Sequence, residues 1–256
     1  MLFDTIIKNV EVFDGTGEQS FCADVAIRDG KIAEIGQIDH EDCGQLVEGA
    51  GLALAPGFID VHTHDDTNVI RYPDCLPKIS QGVTTVIVGN CGISASPTVL
   101  AGDPPDPMNL LGAQADFKYP TFAAYAQAVE QAQPAVNVAA LVGHTTLRNQ
   151  VMDDLQRTAS EDEIAAMQTN LDLAMAQGAL GLSSGLAYAS AKQANANEVM
   201  QLAKVLSSHG GIYTTHMRTE FEEILSAMEE AFETGQYAKV PVVISHLKCA
   251  GAGNWG

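Results

Sequence analysis

The feature that most limits the fold of this chain is a glycine that recurs between helical patterns and apolar runs. It occurs at Gly82, Gly178, Gly210 and Gly235, and a run rich in apolar residues follows each time. Glycine just past a helix end supplies a left-handed cap, and such a run is typical of a fully buried parallel strand. Helices that alternate with these strands predict a parallel α/β sheet. We expect six strands, near residues 57–62, 83–89, 136–142, 179–184, 211–216 and 241–246.

Local patterns predict where helices and loops lie between these strands. Two sites have the capping-box pattern, a hydroxyl followed three residues later by Glu: Ser160 with Glu163, and Thr219 with Glu222. The helix predicted over 161–177 has an apolar stripe, as expected of a helix that covers a sheet. The members of that stripe are Ile164, Met167, Leu171 and Ala174. The stretch 94–120 contains five prolines and is predicted to be a long surface loop.

Residues 3–54 have a different pattern, in which short strands are separated by tight turns. The hairpin pattern at Arg28-Asp29-Gly30-Lys31 lies between two apolar runs. Pro56 and Gly57 then mark the end of this segment. We therefore predict two domains, a small all-β domain over 1–54 and a parallel α/β domain over 55–256.

Composition excludes several classes of protein and partner. With 46% hydrophobic and 18% charged residues in 256, the chain has the composition of a globular protein. A formal net charge of −19 argues against nucleic acid or an anionic membrane as partner. The N-terminus has no signal-peptide pattern, and no apolar stretch approaches a membrane span. Five scattered cysteines fit reduced thiols, so we expect a cytoplasmic protein. The sequence does not determine the oligomeric state.

Side chains that bind metals follow several of the predicted strands. His62 and His64 end the first strand, and residues two apart on a strand point to the same face. Cys91, His216 and His246 follow the second, fifth and sixth strands. In parallel α/β barrels the active site forms at the carboxyl ends of the strands, so we expect these five side chains at one metal site. Thiolate and imidazole ligands favour zinc, which supports metal-assisted hydrolysis.

Several segments together resemble a known family. The segment Pro56–His64 resembles the first barrel strand of the amidohydrolase superfamily. Its sequence is Pro-Gly-Phe-Ile-Asp-Val-His-Thr-His. More narrowly, the chain from residue 3 to 256 resembles the N-acyl-D-amino-acid deacylases, or D-aminoacylases. The segments that carry this resemblance are His62–Asp66, Gly89–Gly92, Gly178–Tyr188, Thr215–Arg218 and Ile244–Lys248. It implies an incomplete TIM-type (β/α)8 barrel of about six strands over 55–256 with a small N-terminal all-β domain. Residues 1–54 would be the N-terminal part of that small domain, which is β-sandwich-like.

The resemblance also implies roles for individual residues. Cys91, His216 and His246 would be the tight zinc ligands, and His62 and His64 would line a second, weaker metal position. Lys248 would bind the carboxylate of an N-acyl amino acid, and Tyr188 is a weaker candidate for the same pocket. Among the remaining histidines, His144 is left open between a pocket-lining and a structural role, and His40 and His209 are expected to face solvent.

The implied reaction is hydrolysis of an N-acyl-D-amino acid to a carboxylate and a D-amino acid. The family's general acid/base aspartate follows its eighth barrel strand, so we expect it beyond Gly256 and identify no catalytic residue here. Asp60, Asp65 and Asp66 are weak substitutes for it. We interpret the sequence as the N-terminal portion of a deacylase and expect negligible hydrolysis by the 256 residues alone. Two alternatives remain: a hydantoinase- or dihydroorotase-like cyclic amidohydrolase, disfavoured by Cys91 and by the absence of lysine in Ser183-Ser184-Gly185, and a non-catalytic metal-binding fragment.

Overall fold

The chain divides into two compact units, Met1–Phe58 and Ile59–Gly256. The structure is a computed structural model, and it describes residues 2–39 and 42–255. His40, which the sequence places in solvent, lies outside these described residues. Each unit is described below by itself.

The first unit contains one five-stranded sheet, in which β3, β2, β1 and β4 are neighbours and β5 also pairs with β1. The β1–β2 and β2–β3 pairings are antiparallel, whereas β4 and β5 run parallel to β1. The predicted hairpin turn is confirmed: Asp29 and Gly30 have φ angles of 52° and 69°, the left-handed values that a tight two-residue turn needs. The second layer of a sandwich stays a prediction. The strands are β1 Phe3–Val12, β2 Phe21–Arg28, β3 Lys31–Gly36, β4 Cys43–Glu48 and β5 Ala53–Leu54.

The second sheet has six strands in the order β6, β7, β10, β11, β12, β13, whereas β8 Thr98–Val99 and β9 Lys118–Tyr119 form a separate pair. Within the six-stranded sheet, β7, β10, β11, β12 and β13 all run parallel to one another. This arrangement confirms the predicted α/β class, with six strands of a (β/α)8-type barrel in the second unit and a separate all-β sheet in the first. The strands are β6 Phe58–Asp60, β7 Val83–Val88, β10 Asn137–Gly143, β11 Gly181–Gly185, β12 Ile212–His216 and β13 Val242–Ile244.

Helices follow the strands and cover the sheet with apolar faces. Buried residues of α3, α5 and α6 join those of the strands in one large apolar cluster that includes Val86, Val142, Leu171 and Leu202. The helices are α1 Asn68–Arg71, α2 Leu76–Ile79, α3 Phe122–Ala132, α4 His144–Val151, α5 Glu161–Ala176, α6 Ala196–Leu206 and α7 Ile224–Ala238. Among the described residues, we find no helix long and apolar enough to cross a membrane.

The two predicted capping boxes have different outcomes. At α5 the box is present, because the backbone N–H of Glu163 donates to the Ser160 hydroxyl and the Ser160 N–H donates to the Glu163 carboxylate. The prediction at Thr219 is wrong. Helix α7 begins at Ile224, and the Thr219 hydroxyl instead accepts a bond from the N–H of Phe221. A helix that starts later leaves Thr219 in a loop, where a hydroxyl stabilises a local turn.

The prediction of a surface loop over 94–120 is wrong in part. Residues 94–98 are buried, and the segment contains a short antiparallel pair, β8 Thr98–Val99 with β9 Lys118–Tyr119. Three of its apolar side chains, Met108, Leu111 and Phe117, form a small core together with Ile93, which precedes the segment. Proline content indicates an absence of regular helix, but it does not indicate exposure, because apolar residues between the prolines can still pack together.

A fully buried ionic network joins α4 to α6. His144, Arg148 and Glu198 are all 0% exposed, and Glu198 Oε1 lies 2.8 Å from His144 Nε2. Arg148 also donates to Glu198 and to the carbonyl groups of Ser190, Leu155 and Arg157. Burial would raise the pKa of Glu198, but His144 and Arg148 outweigh it and lower that pKa to about 2. His144 therefore has a structural contact with Glu198, which favours the structural role over the pocket-lining one.

Candidate metal centre

Five side chains from the carboxyl ends of four strands meet at one edge of the six-stranded sheet. They form two groups, His62 with His64 and Cys91, and Cys91 with His216 and His246. Within each group the potential ligand atoms lie within 4.8 Å of one another. The two groups share Cys91, so the thiol is at the centre of the cluster.

The distances inside the cluster fit side chains that converge on one region. Cys91 Sγ lies 3.2 Å from His62 Nε2 and 3.4 Å from His246 Nε2. The ring centre of His246 lies 4.7 Å from that of His62 and 4.7 Å from that of His216. His62 and His64 are 5.4 Å apart, centre to centre. A sulfur and several imidazole nitrogens at these separations form a donor set that suits zinc.

The loop after β7 presents Cys91 through an unusual backbone conformation. Cys91 itself has a φ of 54°, and Gly89 and Gly92 have φ values of 78° and 77°. A Cβ on Gly92 would approach the backbone nitrogen of Gly185 to 2.6 Å, so only glycine fits between this loop and the end of β11. The loop can therefore turn back towards the histidines while remaining packed against the sheet.

Buried side chains hold this loop at both ends. Asp66 accepts hydrogen bonds from the backbone N–H groups of Gly89 (3.2 Å) and Ala95 (3.1 Å). The Ser183 hydroxyl accepts a bond from the Gly92 N–H and donates to the Gly89 carbonyl. Because these partners are buried, the position of Cys91 is set by hydrogen bonds that water does not replace.

Burial also sets the protonation of the candidate ligands. Desolvation, together with the neighbouring His246 and His64, lowers the pKa of His62 to about 4. Desolvation lowers the pKa values of His64, His216 and His246 as well. It raises the pKa of the Cys91 thiol to about 12. At neutral pH the imidazoles are therefore uncharged and free to bind a cation, whereas the thiol must lose a proton first.

The three aspartates near the histidine pair are already bound to other groups. Asp60 and Asp65 lie 2.7 Å and 3.0 Å from the ammonium of Lys78. Asp66 is 1% exposed, and burial raises its pKa to about 7. These contacts give the aspartates structural roles, so none of them is a good substitute for the expected general base.

The two candidate substrate-binding residues lie beside the cluster. The Tyr188 hydroxyl is 3.2 Å from His216 Nδ1, and burial, with Cys91 close by, raises the pKa of this phenol. Lys248 is exposed, and its Nζ lies 2.8 Å from Oε2 of Glu220. Away from the cluster, His209 is exposed, as expected from the sequence, and lies 2.8 Å from Asp172.

Sequence reasoning missed the residues that support the candidate ligands. From the sequence, Ser183 belongs only to the Gly178–Tyr188 segment and to a strand end without lysine, with no role of its own, and no role is predicted for Glu220 or Glu198. A role for Glu220 could have been predicted from the sequence. It lies in the loop after β12, and such loops surround the candidate metal site at the carboxyl ends of the strands. Glu198 has no such signal, since it lies in the first turn of an ordinary amphipathic helix.

Comparison with known proteins shows what this arrangement is similar to. The amidohydrolase family matches residues 45–256. D-aminoacylase of Alcaligenes xylosoxydans xylosoxydans is 46% identical over 254 residues, which are 99% of this chain and 52% of that protein. A crystal structure of D-aminoacylase, described as defining a novel subset of amidohydrolases, matches with a TM-score of 0.96 and 46% identity, over 99% of this chain and 53% of that one.

A further solved structure was determined with ligands present. It is N-acyl-D-glutamate deacylase of Bordetella bronchiseptica in complex with zinc and a phosphonate inhibitor that mimics the tetrahedral intermediate. It matches with a TM-score of 0.95 and 40% identity, over 99% of this chain and 53% of that one. The chain thus spans about half the length of the relatives it matches.

Proposed function

This chain belongs to the amidohydrolase family, and from that premise we propose that it is the metal-binding part of a zinc-dependent deacylase. The substrates would be N-acyl-D-amino acids, cleaved at the amide bond to a carboxylate and a D-amino acid. The similarity to D-aminoacylase and to N-acyl-D-glutamate deacylase supports this substrate class. The observation that carries the proposal is the Cys91 sulfur, which lies within 3.4 Å of both His62 Nε2 and His246 Nε2.

The donor set fits zinc on chemical grounds. Cys91, His216 and His246 would hold the tight ion, and His62 and His64, with the shared Cys91, would line the weaker position. Zinc held there would supply Lewis acidity for the amide carbonyl and would lower the pKa of a water to about 7, so that hydroxide is available as the nucleophile. The neutral imidazoles need no deprotonation at pH 7, so only the Cys91 thiol must lose a proton before the ligands can bind a metal ion.

The remaining work falls to groups around the cluster. We assign the substrate carboxylate to Lys248, which binds as a point charge and is exposed enough to be reached. Tyr188, beside His216, would form one wall of the pocket. Proton transfer to the leaving amine is assigned to an aspartate outside residues 1–256, because Asp60, Asp65 and Asp66 are all engaged elsewhere.

The end of strand β11 argues against the cyclic-amide alternative. Strand β11 ends in Ser183, Ser184 and Gly185, so it presents no lysine to bridge two metals. Ser183 instead bonds the Cys91 loop. The Cys91 thiol, which the two candidate ligand groups share, would bridge two metals in place of such a lysine.

The test uses the protein made from the complete reading frame that contains this sequence. It should hydrolyse N-acetyl-D-amino acids and spare N-acetyl-L-amino acids, lose activity with a chelator and regain it with zinc. His216→Ala should abolish turnover and zinc binding, whereas the matched variant His209→Gln, at an exposed histidine, should change neither. Turnover of hydantoins but not of N-acyl-D-amino acids would contradict the proposal. The 256 residues alone should turn over substrate negligibly.

A further inference from the structure

Glu220 is a buried carboxylate beside the metal centre that the proposed reaction does not use. Its side chain is 8% exposed, and it follows His216 by four residues in the loop between β12 and α7. Its charge influences the pKa values of Cys91, Tyr188 and both nearby histidines, His216 and His246. Its contact Lys248 follows His246 by two residues, so this ion pair joins the two loops that follow the ligand-bearing strands β12 and β13.

The two oxygens of this carboxylate differ in their contacts. Oε2 lies 2.8 Å from Lys248 Nζ. Oε1 is buried and has no hydrogen-bond partner among residues 2–39 and 42–255. Removing a carboxylate oxygen from water without giving it a donor is costly, so a donor from a ligand would satisfy this atom.

A substrate whose carboxylate binds Lys248 carries such a donor. In an N-acyl amino acid the amide nitrogen and the carboxylate carbon are bonded to the same α-carbon and lie roughly 2.5 Å apart. Lys248 already touches Oε2, so an amide next to a carboxylate bound at Lys248 comes close to Oε1. In a trans amide the N–H and C=O groups point in opposite directions, so the carbonyl can face the cysteine–histidine cluster while the N–H faces Glu220.

We propose that Oε1 of Glu220 accepts a hydrogen bond from the substrate amide N–H, while Oε2 holds Lys248 in place for the α-carboxylate. This inference rests on the proposed function, because it takes Lys248 as the carboxylate site. It narrows the substrate class to secondary amides of α-amino acids and excludes N-acyl-prolines and N-acyl-N-methyl amino acids. Fixing the carboxylate and the acylated nitrogen also defines where the two remaining α-carbon substituents, hydrogen and side chain, must point, so the walls of the pocket can then select one enantiomer.

The experiment compares N-acetyl-D-leucine with N-acetyl-N-methyl-D-leucine in the zinc-loaded protein from the complete reading frame. The variant is Glu220→Gln, whose amide oxygen turns to the Lys248 ammonium and leaves its NH₂ facing the substrate N–H. The wild type should favour the N–H substrate in kcat/KM, and Glu220→Gln should reduce that preference about ten- to hundredfold. It should also reduce the D/L ratio. The matched variant Glu222→Gln, at an exposed glutamate in the same loop, should keep both ratios.

Three results would overturn the inference. An unchanged N–H/N-methyl ratio in Glu220→Gln shows that Oε1 does not accept the N–H. An equal loss of kcat on both substrates shows a general base instead. Equal affinity of the wild type for both compounds, measured by calorimetry, excludes the contact whether or not the protein turns either over. The proposed function fails separately, by absence of wild-type hydrolysis, and the calorimetric comparison then still decides on Glu220.

Discussion

The Ser183 hydroxyl accepts a 3.0 Å hydrogen bond from the backbone N–H of Gly92, the residue next to Cys91. A residue of strand β11 therefore sets the position of a candidate ligand that follows strand β7. The contact is buried, and Ser183 also donates to the carbonyl of Gly89 at the start of the same loop.

Replacing Ser183 by alanine should loosen the Cys91 loop. The buried N–H of Gly92 would lose its partner, which costs about 1–3 kcal/mol, and groups that orient metal ligands typically change affinity by about 10- to 100-fold. We expect zinc affinity to fall within that range in a chelator competition, with a weaker thiolate-to-cobalt charge-transfer band in the cobalt-substituted protein. Ser207→Ala, at an exposed serine, is the control. Unchanged affinity would show that the loop keeps its position without Ser183.

The Cys91 thiol should release about one proton when zinc binds at neutral pH. The Cys91 thiol, with its pKa raised to about 12 by burial, is protonated before binding, whereas the His62 imidazole, with a pKa of about 4, is not. Affinity should therefore rise about tenfold per pH unit between pH 7 and 8. Calorimetry in buffers of different ionisation enthalpy measures the proton count. Cys91→Ser should lower the count by about one, and Cys22→Ser, at an exposed thiol, should leave it unchanged. Because a zinc-bound water can contribute up to about one further proton, a count clearly above two would contradict the neutral histidines.

The buried Glu198 should contribute to stability above its unfolded pKa and lose that contribution in acid. Its folded pKa of about 2 lies below the ordinary 4.5, so the folded state binds this proton less tightly than the unfolded state does. The contribution, on the order of 3 kcal/mol, is complete above pH 4.5 and is lost as the pH falls towards 2.

Glu198→Gln tests this contribution. It leaves the buried Arg148 without its counter-charge and should lower the free energy of unfolding at pH 7 by about 3–5 kcal/mol. The difference from wild type should shrink below pH 4 in urea unfolding. Glu229→Gln, at an exposed glutamate, should behave like wild type throughout. A difference that stays constant from pH 7 to 3 would show that the pKa of Glu198 is the same in the folded and unfolded states.

The proposed division into domains over 1–54 and 55–256 predicts where a protease cuts first. Residues 55–57 are exposed, and Phe58 is 67% exposed. Brief chymotrypsin treatment should therefore cleave after Leu54 or Phe58 and leave a barrel fragment that resists further digestion. N-terminal sequencing of that fragment identifies the cut. First cleavage inside β1–β3, or loss of both parts together, would argue against a boundary there.

The periodic spacing of apolar residues along the sequence made most of the fold predictable. Gly178 and the apolar run after it gave strand β11 within two residues, and the stripe of Ile164 and Leu171 gave helix α5, because burial on one face repeats along the sequence. The cluster of Cys91 with the histidines could be expected for a similar reason, since parallel strands bring their carboxyl ends to one edge.

The rest depends on contacts between segments that no local pattern records. The pairing of Arg148 with Glu198 joins residues 50 apart, and that of Lys248 with Glu220 depends on how two rim loops meet. The burial of residues 94–98 could not be predicted, because the prolines of this segment suggested an exposed loop. Thr219 shows the reverse case, in which a correct local pattern is not used because the helix begins later.

Cys91 and His246 are 155 residues apart in the chain, although their side chains meet. The zinc that we propose between them would act as a cross-link that closes a very long loop, and it would remove much of the freedom of the unfolded chain. The ion would then stabilise the fold as well as take part in catalysis. Chelation should consequently lower the melting temperature even where no substrate is present, and it should loosen β13 before the strands nearer the middle of the sheet.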